Sequence, residues 1–319
     1  MDAAGAADAA ADMAIDPIDG GSGDVAAGNG DAAAADLIGS DLLPACGPTV
    51  PFHDPVKLNP MINTAANEKS GRLSPDGLEL YFTRDTNGDL APRVFRSMRA
   101  PFTNDWGDPV EQTVFNIQAD DGSMRKVMGP TLTGDGLTIY LQIIDGLTNF
   151  YSSTRVTIAS EWGTPSKVDG GISLSDNEAA PWISSKGNTL YYFAIDASDI
   201  TCVSRLYSAG KDGVGFNAGM RIKSINPDED RTPVLTEDEL TIYFSAFVES
   251  AGNKRIFFAT RASKANDFQP LGGTLVSTLT VASGAVEPTW ISPDGCSILF
   301  QYNNGPTSGY DLYWATKLE

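Results

Sequence analysis

Leu73-Ser-Pro-Asp-Gly-Leu-Glu-Leu-Tyr-Phe82 is the stretch that decides the fold, because the chain writes it five times. Its other copies are Leu132-Thr-Gly-Asp-Gly-Leu-Thr-Ile-Tyr-Leu141, Ile183-Ser-Ser-Lys-Gly-Asn-Thr-Leu-Tyr-Tyr192, Leu235-Thr-Glu-Asp-Glu-Leu-Thr-Ile-Tyr-Phe244 and Ile291-Ser-Pro-Asp-Gly-Cys-Ser-Ile-Leu-Phe300. The matched positions Tyr81, Tyr140, Tyr191, Tyr243 and Leu299 lie 59, 51, 52 and 56 residues apart, a period of propeller-type repeats. Each phrase reads as a hairpin: two apolar runs flank a tight turn in which Gly supplies the positive φ. The turns of the third and fourth units, Ser185-Lys-Gly187 and Glu237-Asp-Glu239, depart from Pro-Asp-Gly and are expected to be weaker.

Working outward, a third strand follows each hairpin, as in Val94-Phe-Arg-Ser-Met98 and Asp311-Leu-Tyr-Trp-Ala315, often closed by a basic residue: Arg99, Arg155, Arg261 or Lys317. An aromatic and a weaker fourth strand come next in the first four units, at Trp106, Trp162, Phe216 and Phe268. The fifth unit lacks this piece, whereas Phe52-His-Asp-Pro-Val56, just before unit one, has the same look. A ring closes well when its first segment completes its last blade, since no open sheet edge is left. The expected fold is therefore all-β: a five-bladed β-propeller of four-stranded antiparallel blades over residues 51–319, the last blade completed by the N-terminal strand. The matched tyrosines are read as inter-blade packing with their hydroxyls near water.

The phrase Leu/Ile-Ser-Pro-Asp-Gly-x-x-Leu-Tyr-Phe followed by Asp-Leu-Tyr resembles the WD-repeat-like (PD-repeat) propellers of TolB-type bacterial envelope proteins, across residues 51–319. That resemblance implies a periplasmic or cell-surface ring that mostly binds partners. It implies no shared chemistry, because the repeated residues are structural.

Residues 1–50 are a different material, with fifteen Ala, nine Asp and no Lys or Arg. So few large apolar groups cannot offset the entropy of ordering, and a disordered tether is expected. Met1 is followed by Asp and Ala, without a basic start or an apolar stretch. The expectation is export, the signal having been removed or missed at the gene start, with a cytoplasmic protein as the alternative. No stretch is apolar enough to span a membrane, and a monomer is expected.

The formal net charge is -19, of which the tether carries -9. Phosphate binding needs clustered Lys and Arg, so nucleic acid is excluded as a partner. Three cysteines leave at least one unpaired, and buried or free thiols are the first reading. If the protein is exported and a pair forms, Cys46 with Cys296 is the more plausible one, since the segment after Cys46 joins blade five. The single histidine, His53, falls on the outer strand of the fifth blade, which argues against a Ser-His-Asp or His-metal site. Phosphate-cradling loops, nucleophile elbows and dinucleotide fingerprints are all missing.

What remains is carboxylate chemistry and binding. The loops entering the innermost strands open on one face around the channel, and they gather Glu68, Arg72, Arg125, Glu178, Asp230, Arg231 and Glu287, with Trp182 and Trp290 beside the inner strands. Concave sites lined by aromatics and a few polar groups are the default for ligands, so these are the candidate ligand-binding residues. The favoured reading is a non-catalytic module holding a protein or glycan partner. The alternative is a glycoside hydrolase using Glu68, Glu178, Asp230 and Glu287, which need a general acid and a nucleophile or base at defined separation. No cofactor is expected. A calcium loop at Asp85, Asn87 and Asp89 is a smaller possibility that competes with a plain hairpin turn at Asn87-Gly88.

Overall fold

The computed structural model describes residues 46–85, 92–101, 103, 105–172, 178–195, 204–225, 231–279, 284–303 and 309–318. The predicted tether lies outside them except for residues 46–50, which the structure ties to the last blade. Strand β1 (Val56–Lys57) precedes blade one, formed by β2 (Asn67–Leu73), β3 (Glu79–Asp85), β4 (Arg93–Met98) and β5 (Val110–Glu111). Blade two is β6 (Lys126–Leu132), β7 (Thr138–Asp145), β8 (Leu147–Thr154) and β9 (Ser166–Lys167). Blade three is β10 (Ala179–Ile183), β11 (Thr189–Ile195) and β12 (Ser204–Asp212), with two short pieces, β13 (Gly215–Phe216) and β14 (Met220–Arg221), sharing its outer edge. Blade four is β15 (Arg231–Leu235), β16 (Thr241–Val248), β17 (Asn253–Thr260) and β18 (Gln269–Leu275). Blade five is β19 (Ala285–Ile291), β20 (Ser297–Asn303) and β21 (Tyr310–Thr316), and β1 completes it by pairing Val56 with Trp314. The five-bladed propeller with a split last blade is thus the observed architecture.

The repeated phrase works through hydroxyl–carboxylate pairs. Ser74, Thr133, Thr236 and Ser292 each donate to the aspartate two residues on (Asp76, Asp135, Asp238, Asp294) at 2.5–2.7 Å. That aspartate accepts the N–H of Leu78, Leu137, Leu240 or Cys296, locking the turn. Blade three has Lys186 in the aspartate's place, and Ser184 Oγ accepts two backbone N–H groups instead, from Asn188 and Thr189. The fourth turn is not weakened as expected. It keeps the full network, and Glu239 adopts a left-handed φ of 59° where the other units have Gly. Its buried carboxylate accepts the Tyr191 hydroxyl at 2.9 Å and pairs with Lys264, contacts that offset the backbone strain.

The basic residues and the outer-strand aromatics are one device. Arg99, Arg155 and Arg261 each donate Nε–H to a turn carbonyl (Gly77, Gly136, Glu239) and lie over Trp106, Trp162 and Phe268 at 4.5–4.8 Å. Lys317 repeats the arrangement 5.1 Å from the ring of Phe52, the aromatic that the split supplies from the other end of the chain. These cations also reach the preceding blade: Arg155 to Tyr81 (3.3 Å), Arg261 to Tyr191 (2.9 Å) and Lys317 to Tyr243 (3.0 Å). The three hydroxyls are therefore not near water but bonded inside the seams, and burial pushes each phenol's pKa up. Closure is fastened covalently by the Cys46–Cys296 disulfide, the pairing that the sequence set behind buried or free thiols.

Candidate functional site

Every inner strand breaks register at the same place, between Lys69 and Arg72, Met128 and Thr131, Ala179 and Trp182, Arg231 and Val234, and Pro288 and Trp290. In four blades the extra residue takes a positive φ: Ser70, Gly129, Ala180 and Thr232. Such a kink frees an N–H from the ladder, and three of these are caught by the second strand of the preceding blade. Ser70 donates to Gln301 Oε1 (2.9 Å), Gly129 to Thr83 Oγ1 (3.3 Å) and Ala180 to Gln142 Oε1 (3.1 Å). At the seam between blades three and four the matched residue is Phe193, which has no acceptor. There Thr232 Oγ1 pairs with Ser245 Oγ at 3.0 Å.

At matched positions before the kinks stand Lys69, Met128, Ala179, Arg231 and Glu287, one on each inner strand. The long members lean onto the preceding blade. Lys69 Nζ lies 5.0 Å from the Tyr310 ring. Arg231 donates Nε–H to Ser204 Oγ (3.2 Å) with its guanidinium 5.5 Å from the Phe193 ring. Glu287 accepts Lys254 Nζ at 2.8 Å on one oxygen and Gln301 Nε2 on the other. Burial, with the Glu287 charge second and opposed by Arg231, pushes the Tyr310 phenol up to about 12. Glu287, Lys254, Tyr310 and Arg231 thus share one electrostatic neighbourhood, an oriented carboxylate with cationic and phenolic donors around it.

The other expected residues are scattered. Glu68 is fully buried and committed to Arg84 Nε (2.9 Å) and Thr64 Oγ1 (2.7 Å). Glu178 is buried just before β10, and its charge helps raise the Tyr192 phenol. Trp182 packs edge-on to Tyr191 at 5.7 Å, and Trp290 stacks on Trp314 at 5.6 Å, both within blade packing. Arg125 sits 3.5 Å from the Tyr151 hydroxyl. Arg72 lies deep in the fold, with Nη2 on the Pro181 carbonyl at 3.3 Å. Asp85 ends β3, while Asn87, Asp89 and Asp230 fall outside the described residues. Among the described residues no cluster of three or more His, Cys, Asp or Glu could hold a metal. The sequence reading did not single out Lys254 and Tyr310. Both begin third strands, where the pattern was read only for packing.

No family model matches the chain, and no curated protein sequence matches it. Solved structures do. An alpha-L-arabinofuranosidase of Podospora anserina superposes with a TM-score of 0.57 at 13% identity, covering 85% of this chain and 98% of its own. A family 117 glycoside hydrolase of Zobellia galactanivorans gives 0.57 at 13%, covering 84% and 90%. A TolB-type protein of Agrobacterium tumefaciens gives 0.40 at 15%, covering 81% and 93%, a likeness too low to argue from. The first two likenesses show a shared fold. Other matches are also glycoside hydrolases, and this overturns the reading of a non-catalytic scaffold and the expectation that the chain is no enzyme. Among the described residues no helix is long and apolar enough to cross a membrane.

Proposed function

We propose that the protein is a carbohydrate-active hydrolase whose site lies at the channel mouth, with Glu287 as one of its working carboxylates. The reading is carried by one observation: glycoside hydrolase propellers match this chain over most of both lengths, and here a matched inner-strand position holds an oriented acid. Glycoside hydrolysis needs two carboxyl groups, one protonating the leaving oxygen and one acting as base or nucleophile. Glu287, fixed between Lys254 and Gln301, is oriented for the second role. Tyr310, neutral far above ordinary pH, supplies a hydroxyl donor to a sugar or leaving oxygen. Glu178, just before β10 on blade three, is the candidate for the partner acid. The ligand class is a glycan. An oxidising compartment outside the cytoplasm is part of the proposal, supported by the disulfide and by the likeness of the repeat phrase to TolB-type envelope propellers.

The test is a panel of aryl arabinofuranosides, xylosides and galactosides and of algal oligosaccharides, with Glu287→Gln and Glu178→Gln beside the parent. Hydrolysis by the parent should fall about 10³-fold or more in Glu287→Gln, with thermal unfolding within a few degrees of the parent. Full activity in that variant, or no turnover of any substrate by the parent, sinks the reading.

A further inference from the structure

Arg72 stands next to last in β2, toward the turn and away from the mouth. Its Nη2 donates to the Pro181 carbonyl of β10 at 3.3 Å. Inner strands touch in the order β2, β6, β10, β15, β19 and back to β2, so blades one and three share no seam. A side chain of one reaches the inner strand of the other by crossing the axial channel. The guanidinium therefore spans the channel, and it is only 6% exposed.

Among the described residues its charge meets no counter-ion. Nη1 is buried without any hydrogen-bond partner, and among the described residues no carboxylate pairs with Arg72. Other arginines are served differently: the half-buried Arg84 by Glu68, and the buried Arg155 by Glu79, Arg255 by the carbonyls of Lys254 and Gly284, and Arg205 by the Ser204 carbonyl. Glu68, the acid on Arg72's own strand, is already taken by Arg84 and Thr64. A buried charge is tolerated when paired and fully hydrogen-bonded. Burial also lowers this guanidinium's pKa, to about 9. A water molecule could satisfy the N–H but would leave the charge uncompensated.

We propose that the axial channel holds a small monovalent anion of halide size against Arg72 Nη1. The size follows from burial: Nη1 is closed off from solvent, which leaves room beside it for a small ion at most. The ion would act as a structural pin between blades one and three, separate from the mouth around Glu287.

The full chain is exchanged into sodium gluconate, whose anion is too large for the channel, and chloride or bromide then replaces gluconate at constant ionic strength. Halide at about ten times its Kd should shift the folding equilibrium about tenfold toward the native state, saturably, and the response should vanish in Arg72→Met. Crystals grown in bromide should show an anomalous peak at hydrogen-bonding distance from Nη1. An equal halide response in parent and variant overturns the proposal, as does ordered water without bromide at Nη1. Should Arg72→Met fail to fold, the bromide map of the parent decides alone.

Discussion

Glu239 shows how one residue can break a local rule and be compensated. A β-carbon at φ 59° costs about 1 kcal/mol or more, yet the side chain brings an acceptor to Tyr191 and a partner to the half-exposed Lys264. Glu239→Ala keeps the strain and removes the acceptor, so urea unfolding should show a loss of about 2 kcal/mol. Glu239→Gly should recover about 1 kcal/mol of that by relieving the backbone. Equal stability of parent and Ala variant would remove the carboxylate from the account. Gly71 is the opposite case: a β-carbon there would stand 2.7 Å from Leu299 Cδ2, within blade packing. Gly71→Ala should cost about 1–3 kcal/mol by the same measurement.

At the scale of elements, the seams are held by cation, aromatic and tyrosine together. Arg155 is the fullest instance, with Glu79 at 2.9 Å, Tyr81 at 3.3 Å and Trp162 beneath it. Arg155→Met leaves the buried Glu79 with the Tyr81 hydroxyl at 3.2 Å and a single cation, Arg96 at 3.3 Å, and should destabilise by about 3 kcal/mol in urea melts. The seam phenols also set an alkaline limit. Burial raises the pKa values of Tyr81, Tyr191 and Tyr243, and that of Tyr310 to about 12, so above pH 10 the unfolded chain loses phenolic protons that the native state keeps. The native state then binds more protons, and stability falls as pH rises past 10 while this contribution is intact below it. Urea midpoints at pH 9 and 11 should differ accordingly, and an unchanged midpoint would show the phenols accessible.

For the whole molecule, the decisive element is closure. Strand β1, the Phe52–Lys317 contact and the Cys46–Cys296 bond all fasten the first described residues to blade five, across a sequence separation of 250 residues for the disulfide. Replacing both cysteines by Ser should cost about 2–5 kcal/mol, read as a lower Tm that reductant no longer changes. Hydrogen exchange should then quicken first in β1 and β21. Uniform loosening of all five blades would instead place the weak point elsewhere.

The repeat phrase, its period and the displaced aromatic at Phe52 determined the blade count and the split closure, because hairpin turns and strand alternation are local properties; that Cys46 is bonded to Cys296 was decided by the tertiary structure. The face of each inner strand was also legible. Aligned on Leu73 and Ile291, Glu68 lies five residues back and Glu287 four, and neighbours in a strand point to opposite sides. What only the tertiary structure decided is the company each acid keeps. Arg84 reaches Glu68 from the adjacent strand, while Lys254 reaches Glu287 from the neighbouring blade. Arg72, read from sequence as a loop-face residue, meets Pro181 across the channel. Such meetings depend on how blades pack around an axis, and strand periodicity carries no information about that.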